Sequence, residues 1–250
     1  MVDIWGECHA ESAVQGLKGF GHRLVENQEQ VATTQLVDNL SEQAVLEEVL
    51  ECSKPAVRAG TEHLHYLLST PFRYPPLPHG SRFGSRLEPG LFYGSLSENA
   101  VLAEAVFYRL IFWHGMETPP PSGKLTTQHS MFGFRYRSVK GLKLQAPPFD
   151  GYRKQLIDPV SYTATQTLGT AMREAGVECF EYVSARLPAQ AINIALFTPH
   201  ALASSAPEYN TQWLCEIDEA QITFLNRENS EVLEFPTESY RYNGQFVLPG

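Results

Sequence analysis

Between Val101 and Trp113 the chain carries only two charged side chains, Glu104 and Arg109, among residues that are otherwise apolar or aromatic. Ser95 followed by Glu98 makes a capping-box start, so the segment reads as a helix buried over most of its surface. An isolated carboxylate in such a helix costs several kcal/mol unless it is paired or hydrogen-bonded. Glu104 therefore needs a partner, a raised pKa or a water-filled pocket. The plainer alternative is a buried ion pair. Arg109 stands five residues on, roughly 140° around the helix, which is a poor position for it. Arg82 and Arg86 on the preceding loop are better placed.

A second candidate is electrostatic. No acid occurs between Glu117 and Asp150, whereas Lys124, Arg135, Arg137, Lys140 and Lys143 do. That suits an anionic ligand such as a phosphate-bearing small molecule, or simply a solvated strand face beside acidic neighbours. His63 and His65 could form a metal pair on a strand, but no Cys or carboxylate partner stands in register, so no metal site is expected. GxSxG, GxxxxGK[ST], GxGxxG and HExxH are all absent, which argues against the common hydrolases and kinases.

The elements that must position these groups fall into three zones. Residues 1–69 read as a helical extension, with Asn39 and Glu42 opening an amphipathic helix that Pro55 stops and a shorter piece ending at Pro71. Residues 70–205 hold the Pro- and Gly-rich loop from Phe72 to Gly90, a short strand Leu91 to Gly94, the Glu104 helix and an alternating strand Met131 to Arg137. Next come a helix from Val160 to Ala175, capped by Asp158 and closed by Gly176, and strands Val177 to Val183 and Ala191 to Phe197. Ser184 falls at a strand end. Residues 206–250 read as all-β, with strands near Trp213 to Ile217, Ala220 to Leu225 and Glu231 to Phe235, then an Asn243-Gly244 turn.

With 250 residues, 43% hydrophobic and 19% charged, the chain can bury one full core. The net charge of −9 divides into −7 over residues 1–70, +6 over 71–155 and −8 over 156–250. A pI near 5.4 argues against nucleic acid as a direct partner. Four scattered cysteines with no CxxC, no apolar run of about 18 residues and no signal-peptide start lead to the expectation of a cytoplasmic protein without a membrane partner.

The ordered set Gly80-Ser-Arg82-Phe, Gly90-Leu-Phe-Tyr93-Gly-Ser, Ala103-Glu104, Glu181-Tyr-Val-Ser184-Ala-Arg186 and Ile194-Ala-Leu-Phe-Thr-Pro199 resembles the RES domain family. That family is named for its Arg, Glu and Ser residues and includes NAD⁺-degrading toxins of bacterial toxin–antitoxin pairs. The resemblance spans about residues 70 to 200. Gly84 departs from it, since many members carry Asn or Arg there, and this leaves open whether Arg82 or Arg86 lies closer to phosphate.

The resemblance implies an α+β fold, with an ADP-ribosyltransferase-like mixed β core of two packed sheets, surrounding helices and the N-terminal helical extension. It implies the toxin of a type II toxin–antitoxin system that cleaves the nicotinamide–ribose bond of NAD⁺ by phosphorolysis or hydrolysis. The alternatives are an ADP-ribosyltransferase acting on a protein or nucleic-acid acceptor, and an inactive binding module. Glu104, Arg82, Tyr93 and Ser184 would inherit the site: Glu104 stabilising the oxocarbenium-like ribose, Arg82 holding the pyrophosphate, Tyr93 stacking on nicotinamide or ribose, Ser184 donating to the ribose or the amide. NAD⁺ enters as substrate with inorganic phosphate as an optional co-substrate, and no permanently bound cofactor is expected. The implied partner is an Xre-like antitoxin covering the active site. Apolar faces between residues 36 and 70 leave room for a homodimer.

Overall fold

The computed structural model describes residues 2–27, 36–118, 120–187 and 191–248. The N-terminal part contains α1 (Ile4–Glu7), β1 (Gln15–Glu26), α2 (Leu40–Ser53) and α3 (Tyr66–Arg73). The centre contains β2 (Phe92–Ser95), α4 (Glu98–His114), β3 (Leu125–Lys143), α5 (Arg153–Leu156), α6 (Thr163–Glu174), β4 (Cys179–Val183) and β5 (Ile192–Leu196). Strands β6 (Tyr209–Ile217), β7 (Gln221–Asn226) and β8 (Val232–Pro236) follow. The fold is mixed α+β, as the sequence led us to expect.

The strands form one hydrogen-bonded series, β1-β2-β5-β4-β3-β6-β7-β8, and β1 also pairs with β3. The first five therefore close into a ring, from which β6 to β8 extend. Where two packed sheets were expected, the strands are continuous, because the 19-residue β3 belongs to both halves. Its residues 129–141 pair with β1, residues 125–133 with β6 on the opposite edge, and residues 141–143 run parallel to β4.

β1 corrects the reading of residues 1–69 as helical. Its run Gly-Leu-Lys-Gly-Phe-Gly-His-Arg has no 3.6 period, and glycine recurs where aromatic rings of β3 cross the strand. A Cβ at Gly21 would lie 2.6 Å from the Phe134 ring, so only glycine admits that crossing. Residues 28–35 lie outside the described residues.

Several local signals hold. Asn39 caps α2 by accepting from the Glu42 amide at 3.0 Å, Gly176 takes φ +73, and Asn243-Gly244 turns with both φ positive. Others shift. The cap of α4 is Ser97, not Ser95, while the Glu98 carboxylate accepts from the Tyr209 hydroxyl instead. Pro71 lies inside α3 rather than ending it. Asp158 caps a turn, accepting from the Val160 and Ser161 amides, and α6 begins five residues after it.

Three apolar clusters fix the frame. One packs α6 and Phe83 onto Phe180 and Tyr182, a second fills the ring around Phe92, Phe132 and Phe134, and the third seats α4 on Trp213, Ile222 and Phe224 of β6 and β7. Between α4 and the ring lies a cleft.

Candidate active site

The opening is a cleft of about 380 Å³. Helix periodicity places Val101, Glu104, Ala105 and Tyr108 on one stripe of α4, and all four line it. Tyr93, Tyr162, Tyr182, Arg23, Arg82 and Asn193 face them.

Glu104 is partnered, though not by an arginine. Its Oε1 accepts from the Ser184 hydroxyl at 2.6 Å and from the Asn193 side-chain amide at 2.8 Å. Oε2 has no hydrogen-bond donor among the described residues. Ser184 in turn accepts at its Oγ from the amides of Arg186 (3.1 Å) and Leu187 (3.3 Å). Those backbone donors occupy its lone pairs, so its single proton points to Glu104. The resemblance had that hydroxyl donating to substrate; here it is directed at the carboxylate. Asn193 is oriented from behind, its Oδ1 accepting from Ser95 at 2.6 Å. The result is a carboxylate fixed by neutral donors on one oxygen. The ion-pair alternative fails, since Arg109 pairs with Glu26 at 2.7 Å.

Arg82 is buried, 8% exposed. Its Nη1 donates to the Asp158 carbonyl at 2.9 Å and more weakly to that of Leu156 at 3.4 Å, and its guanidinium lies 4.6 Å from the centre of the Tyr162 ring. No carboxylate pairs with it among the described residues, so its charge remains available to an anion. The loop that carries it is rigidly seated. Phe83 is fully buried against Phe180 and Tyr182, and Gln166 donates to the carbonyls of His79 and Ser81. Arg86 is exposed and does not line the cleft, whereas Arg82 does.

Tyr93 lines the cleft, and its hydroxyl bonds Ser81 at 2.9 Å and accepts from the Phe83 amide at 3.1 Å. Burial pushes the phenol up to about 12, so it stays protonated and ties β2 to the Arg82 loop.

Two groups escape sequence reading. Arg23 on β1 donates through Nη1 to the Tyr93 carbonyl and lies 5.0 Å over the Phe92 ring, with no carboxylate partner among the described residues. Its Nε is buried without an acceptor among the described residues, and burial holds the guanidinium down to about 10. The second is Asn193, a buried amide in an otherwise apolar strand; the rule that buried polar groups must be bonded was signal enough to find it.

The lysines and arginines of the acid-free segment do not line the cleft. Alternation along β3 turns Phe134 and Tyr136 inward and Arg135 and Arg137 outward to solvent, Lys140 is exposed where the alternation breaks at Val139, and none of the three lines the cleft. Arg135 pairs with Glu208 at 3.1 Å, and Lys124 with Glu216 at 2.7 Å. His65 accepts from the Leu67 amide through Nδ1, as the cap of α3. Among the described residues no cluster of three His, Cys, Asp or Glu could hold a metal, and no helix is long and apolar enough to cross a membrane.

Fold and cleft together define a small α+β protein with a neutral-bonded carboxylate and two uncompensated guanidinium groups in one opening. The chain belongs to the RES domain family, whose profile matches residues 55–218. No curated protein matches it. Among solved structures it is similar to a chain in the crystal structure of the M. tuberculosis MbcT–MbcA toxin–antitoxin complex, at 9% identity and a TM-score of 0.49, covering 84% of this chain and 91% of that one.

Proposed function

We propose that this protein is the toxin of a type II toxin–antitoxin pair, consuming cytoplasmic NAD⁺ by breaking its nicotinamide–ribose bond. The observation that carries this reading is the state of Glu104: Oε1 is held by Ser184 and Asn193 while Oε2 has no donor among the described residues. Arg82 and Arg23 suit the two phosphates of the pyrophosphate, where charge-assisted bonds reward a guanidinium without a carboxylate of its own. The tyrosines supply faces for nicotinamide and ribose.

As the C–N bond breaks, nicotinamide leaves with the bonding pair and the ribose acquires oxocarbenium character. A carboxylate already fixed beside it needs no reorganisation to stabilise that charge. Water closing on the anomeric carbon releases a proton and gives ADP-ribose. Inorganic phosphate doing so gives ADP-ribose phosphorylated at that carbon, and would have to share Arg82 or Arg23, since Arg135, Arg137 and Lys140 face away. NAD⁺ is substrate here, not a resident cofactor.

A protein that drains NAD⁺ from its own cell requires neutralisation, which supports an Xre-like antitoxin covering the cleft. An acidic or carboxylate-ended segment would satisfy Arg82 and Arg23 as the pyrophosphate does.

The deciding experiment is product analysis of the purified protein with NAD⁺, with and without phosphate. Free nicotinamide with either ADP-ribose product supports the reading. Intact NAD⁺ overturns it, and ADP-ribose transferred to a protein or nucleic acid replaces it with a transferase.

A further inference from the structure

The segment after β8 reaches the helix that carries Glu104. The Tyr240 hydroxyl donates to the Ala103 carbonyl at 3.0 Å, one residue before Glu104. That carbonyl already serves the helix ladder, so the phenol takes its second lone pair. Six residues on, the Phe246 ring stacks on His114 at 4.7 Å and lies 5.6 Å from Phe107. Phe107 also receives the Arg186 guanidinium at 3.6 Å, and Arg186 donates its amide to Ser184. One aromatic side chain thus joins the C-terminal segment, α4 and the Ser184 turn. Burial is the main cause that raises the Tyr240 phenol above its ordinary range, followed by the negative charge of Glu104, so hydroxyl and carboxylate are electrostatic neighbours. Both Tyr240 and Phe246 lie beyond the residues matched by the family.

We propose that Tyr240 is a positioning residue for Glu104, its hydroxyl fixing the turn of α4 from which the carboxylate meets Ser184 and Asn193. This rests on the function proposed above. It touches no substrate, so it governs the chemical step rather than capture.

Tyr240→Phe deletes one hydroxyl and keeps the packing. Steady-state kinetics with NAD⁺ should show kcat lowered about tenfold with KM within about twofold, because a small displacement of a fixed catalytic group costs rate. Tyr242→Phe, on the same segment but exposed, should match the wild type. An unchanged kcat in Tyr240→Phe, or an equal loss in both variants, overturns the proposal. If the wild type itself leaves NAD⁺ intact, the functional reading fails separately, and positioning is read from the side-chain amide resonance of Asn193, which reports its bond to Glu104. A shift in Tyr240→Phe alone sustains the positioning role; an unmoved resonance overturns it.

Discussion

Ser184 and Glu104, 80 residues apart, share a hydrogen bond of 2.6 Å whose direction is fixed by the backbone amides behind the serine. The serine has one proton and the carboxylate receives it. A hydroxyl used this way orients a charge without neutralising it.

Glu104→Gln keeps an oxygen that can accept from both Ser184 and Asn193, so the fold should survive with a melting temperature near that of the wild type. NAD⁺ cleavage should fall by about 10²- to 10³-fold, the scale on which a preorganised electrostatic group acts. Nicotinamide release measured on a folded variant checks this, and wild-type turnover would move the chemistry away from Glu104.

Ser184→Ala removes the donor to Glu104 and also the acceptor for the Arg186 and Leu187 amides. Turnover should fall roughly tenfold or more, together with a stability loss of about 1–2 kcal/mol from two unbonded amides. Denaturant melts beside kinetics separate the two effects.

Arg82→Lys and Arg23→Lys should each weaken NAD⁺ binding by about 1.5–3 kcal/mol, since an ammonium cannot present a planar fork. Calorimetry on a Glu104→Gln background reads this without turnover. Arg86→Lys, by contrast, should bind as before, since Arg86 is exposed and outside the cleft.

His129 lines the cleft and is 3% exposed; burial first, and the Arg109 charge second, hold it down to about 4 from 6.5. The unfolded chain therefore binds the proton first. This contribution to stability is fully present above pH 6.5, falls as pH drops through the interval, and is gone below about 4. A shift of this size corresponds to about 3 kcal/mol. His129→Gln should flatten the stability curve in that window, as followed by denaturant unfolding at a series of pH values. Parallel curves for the two proteins would refute the assignment.

Gly169→Ala tests the seating of the Arg82 loop. A Cβ there would fall 2.0 Å from the Phe83 carbonyl oxygen, a clash with backbone that no rotamer relieves. Destabilisation of about 1–3 kcal/mol is expected, with NAD⁺ affinity falling as Arg82 is displaced.

What the sequence made legible was local. Asn39 with Glu42, the Gly176 stop and the Asn243-Gly244 turn depend on neighbours within a few residues, and each was readable there. Glu104 stood out because a carboxylate in an apolar helix is anomalous without reference to anything distant. Its partners were not legible as partners, since Ser184 and Asn193 meet it only through the β4–β5 pairing. β1 was hidden for the opposite reason. Its glycines make sense only under Phe134 and Tyr136 of a strand more than a hundred residues later, and Arg23 was lost with it. The β3 arginines misled because charge counting along a chain cannot tell which face of a strand meets the ligand.

The ring closed by β1 and β3 bears on how the protein comes into being. β1 is made about a hundred residues before the β3 edge it joins, and the Glu104 helix in turn precedes β5. The constellation is spread from Arg23 to Asn193, so no short piece of the chain holds it, and long-range strand pairing is slow to form. Under the proposed function, a chain that ends before β5 lacks Asn193 and spares the cell's nucleotide pool. Toxicity would then switch on as a single late event in biogenesis, leaving an interval in which an antitoxin translated alongside can be waiting.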